Sequence, residues 1–150
     1  MQWRIFIKLN MKKEIVKIKP SKDILCYVAG LFDGEGCIKI CRVNAKSINR
    51  PNDRFTLDIQ LQMTDENVVK WLWGTFGGYF YIHKTKNPKW KTSYRWILQY
   101  QRCKLFLQWI MPFLKTKKRL AKLALEYLEI SKRDIEAKKG IYQLIKKMNH

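Results

Sequence analysis

The chain has 150 residues, 47% hydrophobic and 13% aromatic, which excludes a disordered polymer and suits one domain with a real core. Its 31 Lys and Arg residues outnumber 12 Asp and Glu, and the net charge of +19 points to a polyanionic partner bound through phosphate neutralisation. No apolar run reaches the roughly 18 residues of a membrane span, and no long basic amphipathic helix stands apart from the core, so a membrane is not the expected partner.

Residues 1–20 interleave Trp3, Ile5, Ile7 and Leu9 with basic side chains and close at Pro20. They could form a basic arm, a short added strand or sequence upstream of the domain. A poorly ordered basic arm is the reading adopted, with residues 21–150 as a single domain. Ser21 or Asp23 can cap a first helix that reaches about Phe32. A strand follows over 37–44, then a polar loop over 47–53. Phe55, Leu57, Ile59, Leu61 and Met63 alternate with Arg54, Thr56, Asp58, Gln60 and Gln62, so the next strand has one core face and one polar face.

Thr64 or Asp65 caps a second helix with Val68, Val69, Leu72 and Phe76 inward, ended by Gly77-Gly78. A hairpin comes next, its strands over 79–84 and 93–100 around a basic loop. From Arg102 the pattern is helical, with Leu105, Phe106, Trp109 and Ile110 as a buried stripe and Pro112 as its end. Lys115-Thr116-Lys117-Lys118-Arg119 opens a fourth helix with Leu120, Leu123, Ala124, Tyr127 and Leu128 inward, and a last helix is expected over 131–147. The fold class is α+β: two hairpins joined in a four-stranded antiparallel sheet, covered by helices on one face. Cys26, Cys37, Cys41 and Cys103 form no CxxC pair and have only His83 and His150 to help, so they read as buried free thiols rather than a zinc site.

One stretch stands out, Tyr27-Val28-Ala29-Gly30-Leu31-Phe32-Asp33-Gly34-Glu35-Gly36. Glycine in a helix costs about 1 kcal/mol relative to alanine, so a bare side at Ala29, Gly30 and Gly34 suggests close approach of another backbone. Two carboxylates, Asp33 and Glu35, fall at a helix C-terminus, where the dipole disfavours them and a cation should offset them. A divalent metal with oxygen ligands is the natural candidate. Residues 28–36 closely resemble the LAGLIDADG motif of homing endonucleases, with departures at Val28, Phe32, Gly34 and Glu35. The αββαββα order matches that family's fold as well, and the resemblance covers roughly residues 22–130.

The resemblance implies a metal-dependent endodeoxyribonuclease with Mg²⁺ as cofactor and Mn²⁺ able to substitute. It makes Glu35 the catalytic metal-binding acid, with the Gly34 carbonyl beside the metal and Asp33 in a mainly structural role. Met111-Pro112-Phe113-Leu114-Lys115-Thr116-Lys117 is similar to the family segment that brings a basic residue to the scissile phosphate. Lys117 is the match, with Lys115 as fallback. Asp65 aligns with a water-orienting position, although helix capping is its main expected task. A single motif implies a homodimer packed through Ala29, Gly30, Asp33 and Gly34, and hence a nearly palindromic site in double-stranded DNA, cut to leave 3′ overhangs. An intracellular setting with access to DNA is expected.

With helices on one face of the sheet, the other must meet solvent or a partner. That face is expected to carry Lys39, Cys41, Val43, Arg54, Thr56, Asp58, Gln60, Gln62, Tyr81, His83, Arg95, Ile97 and Gln99. A twisted β-ribbon fits the major groove, where Gln, Arg, Lys and Asp read base edges. Basic loops over 50–54 and 84–91 would hold phosphates without reading sequence. Two alternatives keep the charge and lose the cutting: an RNA-binding intron maturase and a non-cleaving DNA-binding relative. Intact Glu35 and Lys117 favour the nuclease.

Overall fold

The computed structural model describes residues 11–14 and 17–149. The elements are β1 (Met11–Lys13), α1 (Lys22–Glu35), β2 (Gly36–Val43), β3 (Arg54–Met63), α2 (Glu66–Phe76), β4 (Gly78–His83), β5 (Ser93–Gln99), α3 (Arg102–Ile110), α4 (Lys118–Glu129) and α5 (Ile135–Met148). The four expected strands are present and wholly antiparallel. A short fifth strand, β1, adds to the β4 edge, giving the order β1-β4-β5-β3-β2. Most of the expected N-terminal arm lies outside the described residues, but Met11 pairs with Phe80 and Lys13 with Gly78. The Lys13 ammonium also donates to the Gly74 carbonyl at 3.0 Å.

The period-two pattern decides which face is dry. Ile38, Ile40, Phe55, Leu57, Ile59, Leu61, Phe80, Trp96 and Leu98 are all buried beneath the helices. Burying each large apolar side chain stabilises the fold by about 1.5–3 kcal/mol, so register is strongly specified. Trp96 sits at the centre, its ring 5.0 Å from Phe106 and 5.9 Å from Phe76. Its indole N–H donates to the Gly77 carbonyl at 2.7 Å, so the buried donor is satisfied. Gly78 lets the start of β4 lie close against β5: at φ 92°, an added Cβ would lie 2.5 Å from the Ile97 carbonyl oxygen.

Three expectations shift in the helices. α1 does not stop near Phe32 but continues through Glu35, because Gly34 is accommodated inside the helix and the C-cap falls at Gly36. Gly36 is required for space rather than for a left-handed turn, since its φ is −77° and an added Cβ would meet the Phe32 ring at 2.3 Å. In α3 the buried stripe is Cys103, Phe106, Leu107 and Ile110, an i, i+3, i+4, i+7 set. Leu105 and Trp109 flank it and are half-buried. α5 begins at Ile135, where Asp134 caps it, and the Asn149 amide donates to the Ile38 carbonyl at 2.9 Å, so this helix guards the β2 edge.

Candidate active site and nucleic-acid interface

Leu25, Val28, Ala29 and Phe32 anchor α1 in the core. A helix with that inner side presents Cys26, Tyr27, Gly30 and Gly34 outward, and all four are exposed. A Cβ built at Gly30 or Gly34 meets nothing within 4 Å. The expected bare stripe is therefore real at the two glycines and wrong at Ala29, which is 0% exposed and packs on the chain's own core. Cys26, expected as a buried thiol, is exposed for the same helical reason.

At the end of α1, Asp33 reaches across to a segment more than eighty positions later. Its carboxylate accepts from the Lys115 amide at 2.7 Å, the Lys117 amide at 2.9 Å and the Thr116 hydroxyl at 3.0 Å. Burial pushes the Asp33 carboxyl up, but those donors outweigh it and hold it below the ordinary aspartate range. Lys117 is the N-cap position of α4 and contributes no capping side chain, so Asp33 caps that helix from another element. The Lys117 ammonium donates in return to the Asp33 main-chain carbonyl. The cation called for by the negative C-terminus of α1 is thus partly supplied by Lys117 itself. Glu35 is exposed, and no hydrogen bond or ion pair engages it among the described residues.

Asp65 shares this end of the sheet. Gly36 pairs with Leu61, so β3 runs past the start of β2 and delivers Asp65 on the side where Glu35 emerges. Its Oδ1 accepts from the Val68 amide at 3.1 Å, capping α2 as expected.

The open face of the sheet is ordered in rows. Lys39, Asp58 and Gln99 lie side by side, as do Gln60 with Ile97, and Gln62, Arg95 and Tyr81. The Arg95 guanidinium donates twice to Gln62 Oε1, at 2.7 and 3.0 Å, and Gln62 Nε2 donates to the Ser93 hydroxyl at 2.7 Å. Ser93 in turn lies 3.4 Å from His83 Nδ1. These side chains are pre-set rather than loose. Asp58 accepts from the Cys41 thiol at 3.4 Å, and burial pushes its carboxyl above the ordinary range despite Cys41, Gln99 and Lys39. Burial, then Asp58, pushes the Cys41 thiol up too. Tyr81 stacks on Tyr79 with centroids 6.3 Å apart, and burial raises its hydroxyl pKa. Val43 and Arg54 pair at the far end, with Arg54 exposed. Thr56 departs from expectation: it is only 7% exposed and does not present itself to a partner.

The sequence profile described as LAGLIDADG endonuclease matches residues 28–133. The chain belongs to this family. Comparison with curated proteins finds no match. Among solved structures, the LAGLIDADG fold recurs in the archaeal intron-encoded homing endonuclease I-Vdi141I complexed with DNA, at TM-score 0.69 and 14% identity over 87% of each chain. It recurs in the homing endonuclease I-CvuI in complex with its target in the presence of Ca, at TM-score 0.65 and 16% identity over 84% of this chain and 80% of that one. The group I intron-encoded I-CeuI complexed with DNA gives 0.59 and 14% over 87% and 70%.

No cluster of three or more His, Cys, Asp or Glu residues able to hold a metal occurs among the described residues. What the LAGLIDADG helix does offer is an exposed Glu35 carboxylate and main-chain carbonyls at its C-terminus. This all-oxygen donor set suits a hard cation that keeps most of its waters and shares substrate phosphates. The residues therefore fit a divalent cation only as part of a site that partners would complete. Two groups escaped the sequence reading. Arg42 forms an ion pair with Asp53, whose Oδ1 accepts from the Ala45 amide at 2.8 Å, pinning the loop between β2 and β3. The Arg102 guanidinium lies 5.5 Å from the Tyr79 ring centre.

Proposed function

We propose that the chain is a homing endonuclease that acts as a homodimer, hydrolysing both strands of double-stranded DNA at a long, nearly palindromic site to leave 3′ overhangs. The observation that carries this reading is the Asp33 clamp, which locks Lys117 onto the carbonyl two residues before the unengaged Glu35. Glu35 is left exposed two residues along the helix from the carbonyl that fixes the Lys117 ammonium, so an acid and a base stay available at one helix end.

Two copies packed through Gly30 and Gly34 would form an isologous interface and bring two Glu35 residues together at one pole. Glu35 and the Gly34 carbonyl would hold Mg²⁺, or Mn²⁺ in its place. The ion, when bound, supplies charge neutralisation at the phosphate and lowers the pKa of water. Lys117 stabilises the negative charge that develops on the phosphate. Asp65 keeps Oδ2 available to orient a water while Oδ1 caps α2. On the open face, Arg95 and Lys39 suit guanine, Gln60, Gln62 and Gln99 suit adenine, Asp58 accepts from cytosine, and Val43 and Ile97 suit thymine methyls. Cys41, Tyr81 and His83 complete that surface, and the DNA held by I-Vdi141I and I-CeuI supports the choice of partner.

The test is incubation of the purified protein with Mg²⁺ and a pool of near-palindromic DNA sites, with sequencing of product ends and sedimentation of the complex. Staggered double-strand cuts by a dimer are expected. A tight complex that stays uncut in both Mg²⁺ and Mn²⁺ would reassign the chain to a binding-only role.

A further inference from the structure

A second concave surface lies at the opposite end of the sheet from Glu35. The eight residues of β2 separate the two, roughly 25 Å of extended chain. The groove has a volume of about 700 Å³ and forms where the start of β3, the turn after β5 and the junction of α4 with α5 meet. Its floor is aromatic, made by Phe55, Tyr100 and Tyr127, and its rim carries Arg50, Arg54, Lys132 and Lys138. Asp53, the one acid on the lining, is already engaged by Arg42 and the Ala45 amide. The rim cations are therefore left with no unengaged carboxylate among the lining residues, an arrangement that favours an anion.

Tyr100 is the telling residue. Its φ is 55°, a left-handed conformation that a bulky side chain rarely adopts. The conformation is over-determined, because its amide donates to the Leu57 carbonyl at 2.9 Å and its own carbonyl accepts from the Cys103 amide at 3.0 Å. Glycine would suit this turn better. Instead the chain keeps an aromatic ring there, and the residue is 46% exposed. Tyr127 is different: its hydroxyl donates to the Phe55 carbonyl at 3.0 Å, and the Lys138 ammonium lies 5.6 Å from its ring centre. Tyr100 is thus the ring with a face free to stack, and Lys138 is held over the floor.

We propose that this groove binds an unpaired stretch of nucleic acid, one base stacked on Tyr100 with its flanking phosphates on Lys132 and Lys138. Aromatic platforms bordered by cations are how single strands are held, since every unpaired base offers a face. A duplex offers phosphates but hides its base faces, so it would leave the aromatic floor unused. The groove is thereby distinct in chemistry from the polar, amide-rich face of the sheet.

The experiment uses the full chain and fluorescent oligouridine RNA, oligothymidine DNA and duplex DNA, read by anisotropy at fixed salt. The variant carries Tyr100→Gly and Lys132→Ala. Glycine accepts the positive φ, so the turn survives, and an unchanged melting midpoint verifies it. Loss of one stacking platform and one phosphate contact should weaken single-strand binding by about tenfold or more, while duplex binding and cutting stay at the parent level. Loss with both single strands supports the shared chemistry, and loss with RNA alone identifies RNA as the source through its 2′-hydroxyls. Equal single-strand affinity in parent and variant overturns the proposal. So does a parallel fall in duplex affinity, which would make the groove a phosphate contact of the duplex. Cross-linking of 5-iodouridine RNA gives an independent readout, with attachment at Tyr100 expected. None of these outcomes depends on whether Glu35 cuts.

Discussion

Asp33 and Glu35 stand two residues apart on the same helical turn, yet their surroundings are opposite. Asp33 takes three donors from the 115–117 segment and is held below its ordinary pKa, whereas Glu35 is exposed and engages no partner among the described residues. One carboxylate joins α1 to α4, and the other is kept available. Under the proposed function the two acids of one motif divide structure from chemistry, and removing each should damage a different property.

The largest effect is expected at Glu35. Glu35→Gln should lower DNA cutting by at least about 100-fold, with stability changed by no more than about 0.5 kcal/mol because the side chain is exposed and unpaired. A cleavage time course beside a thermal melt checks both. Next comes Lys117→Ala, which removes the ammonium from the Asp33 carbonyl and should reduce cutting by about 10- to 100-fold with DNA affinity retained. Single-turnover kinetics at saturating protein separate those two terms.

Asp33→Ala breaks the comparison from the other side. Three charge-assisted hydrogen bonds at a half-buried site contribute about 1–3 kcal/mol together once solvent screening is discounted, and denaturant midpoints should fall accordingly. The pH dependence follows from the same group. A carboxylate depressed in the fold contributes stability that is present above its ordinary value of 3.8 and lost as pH falls through the lower folded value. An acid titration of the melting midpoint should show a steeper loss in the parent than in Asp33→Ala. Smallest is Gly30→Ala, which meets nothing within 4 Å in the single chain. It should stabilise the isolated subunit by up to about 1 kcal/mol while weakening self-association, seen by sedimentation at graded concentrations.

The sequence was most legible where a fixed period meets a dry face. The alternation from Phe55 to Met63 gave β3 its register and its two faces directly. Boundaries were harder: Gly34 reads locally as a helix stop, but α1 takes it in and ends at Gly36, where the Phe32 ring leaves no room for a Cβ. Ala29 read as bare because it is small, whereas its position beside Val28 and Phe32 faces it inward. The Asp33 clamp joins residues more than eighty positions apart, which no local pattern reveals. One signal was available, since the strongly amphipathic α4 opens on Lys117-Lys118-Arg119 with no side-chain cap of its own, so an acid from elsewhere was needed. Likewise, Tyr100 looked like the last residue of a strand until its left-handed φ placed it on a turn.

The most direct test puts Glu35→Gln and Asp33→Ala through the same two assays, metal-dependent cleavage and thermal unfolding. The account predicts a split: Glu35→Gln melts like the parent and does not cut, while Asp33→Ala melts earlier. A Glu35→Gln protein that cuts normally, or one that fails to fold, would contradict the assignment of Glu35 as the catalytic acid.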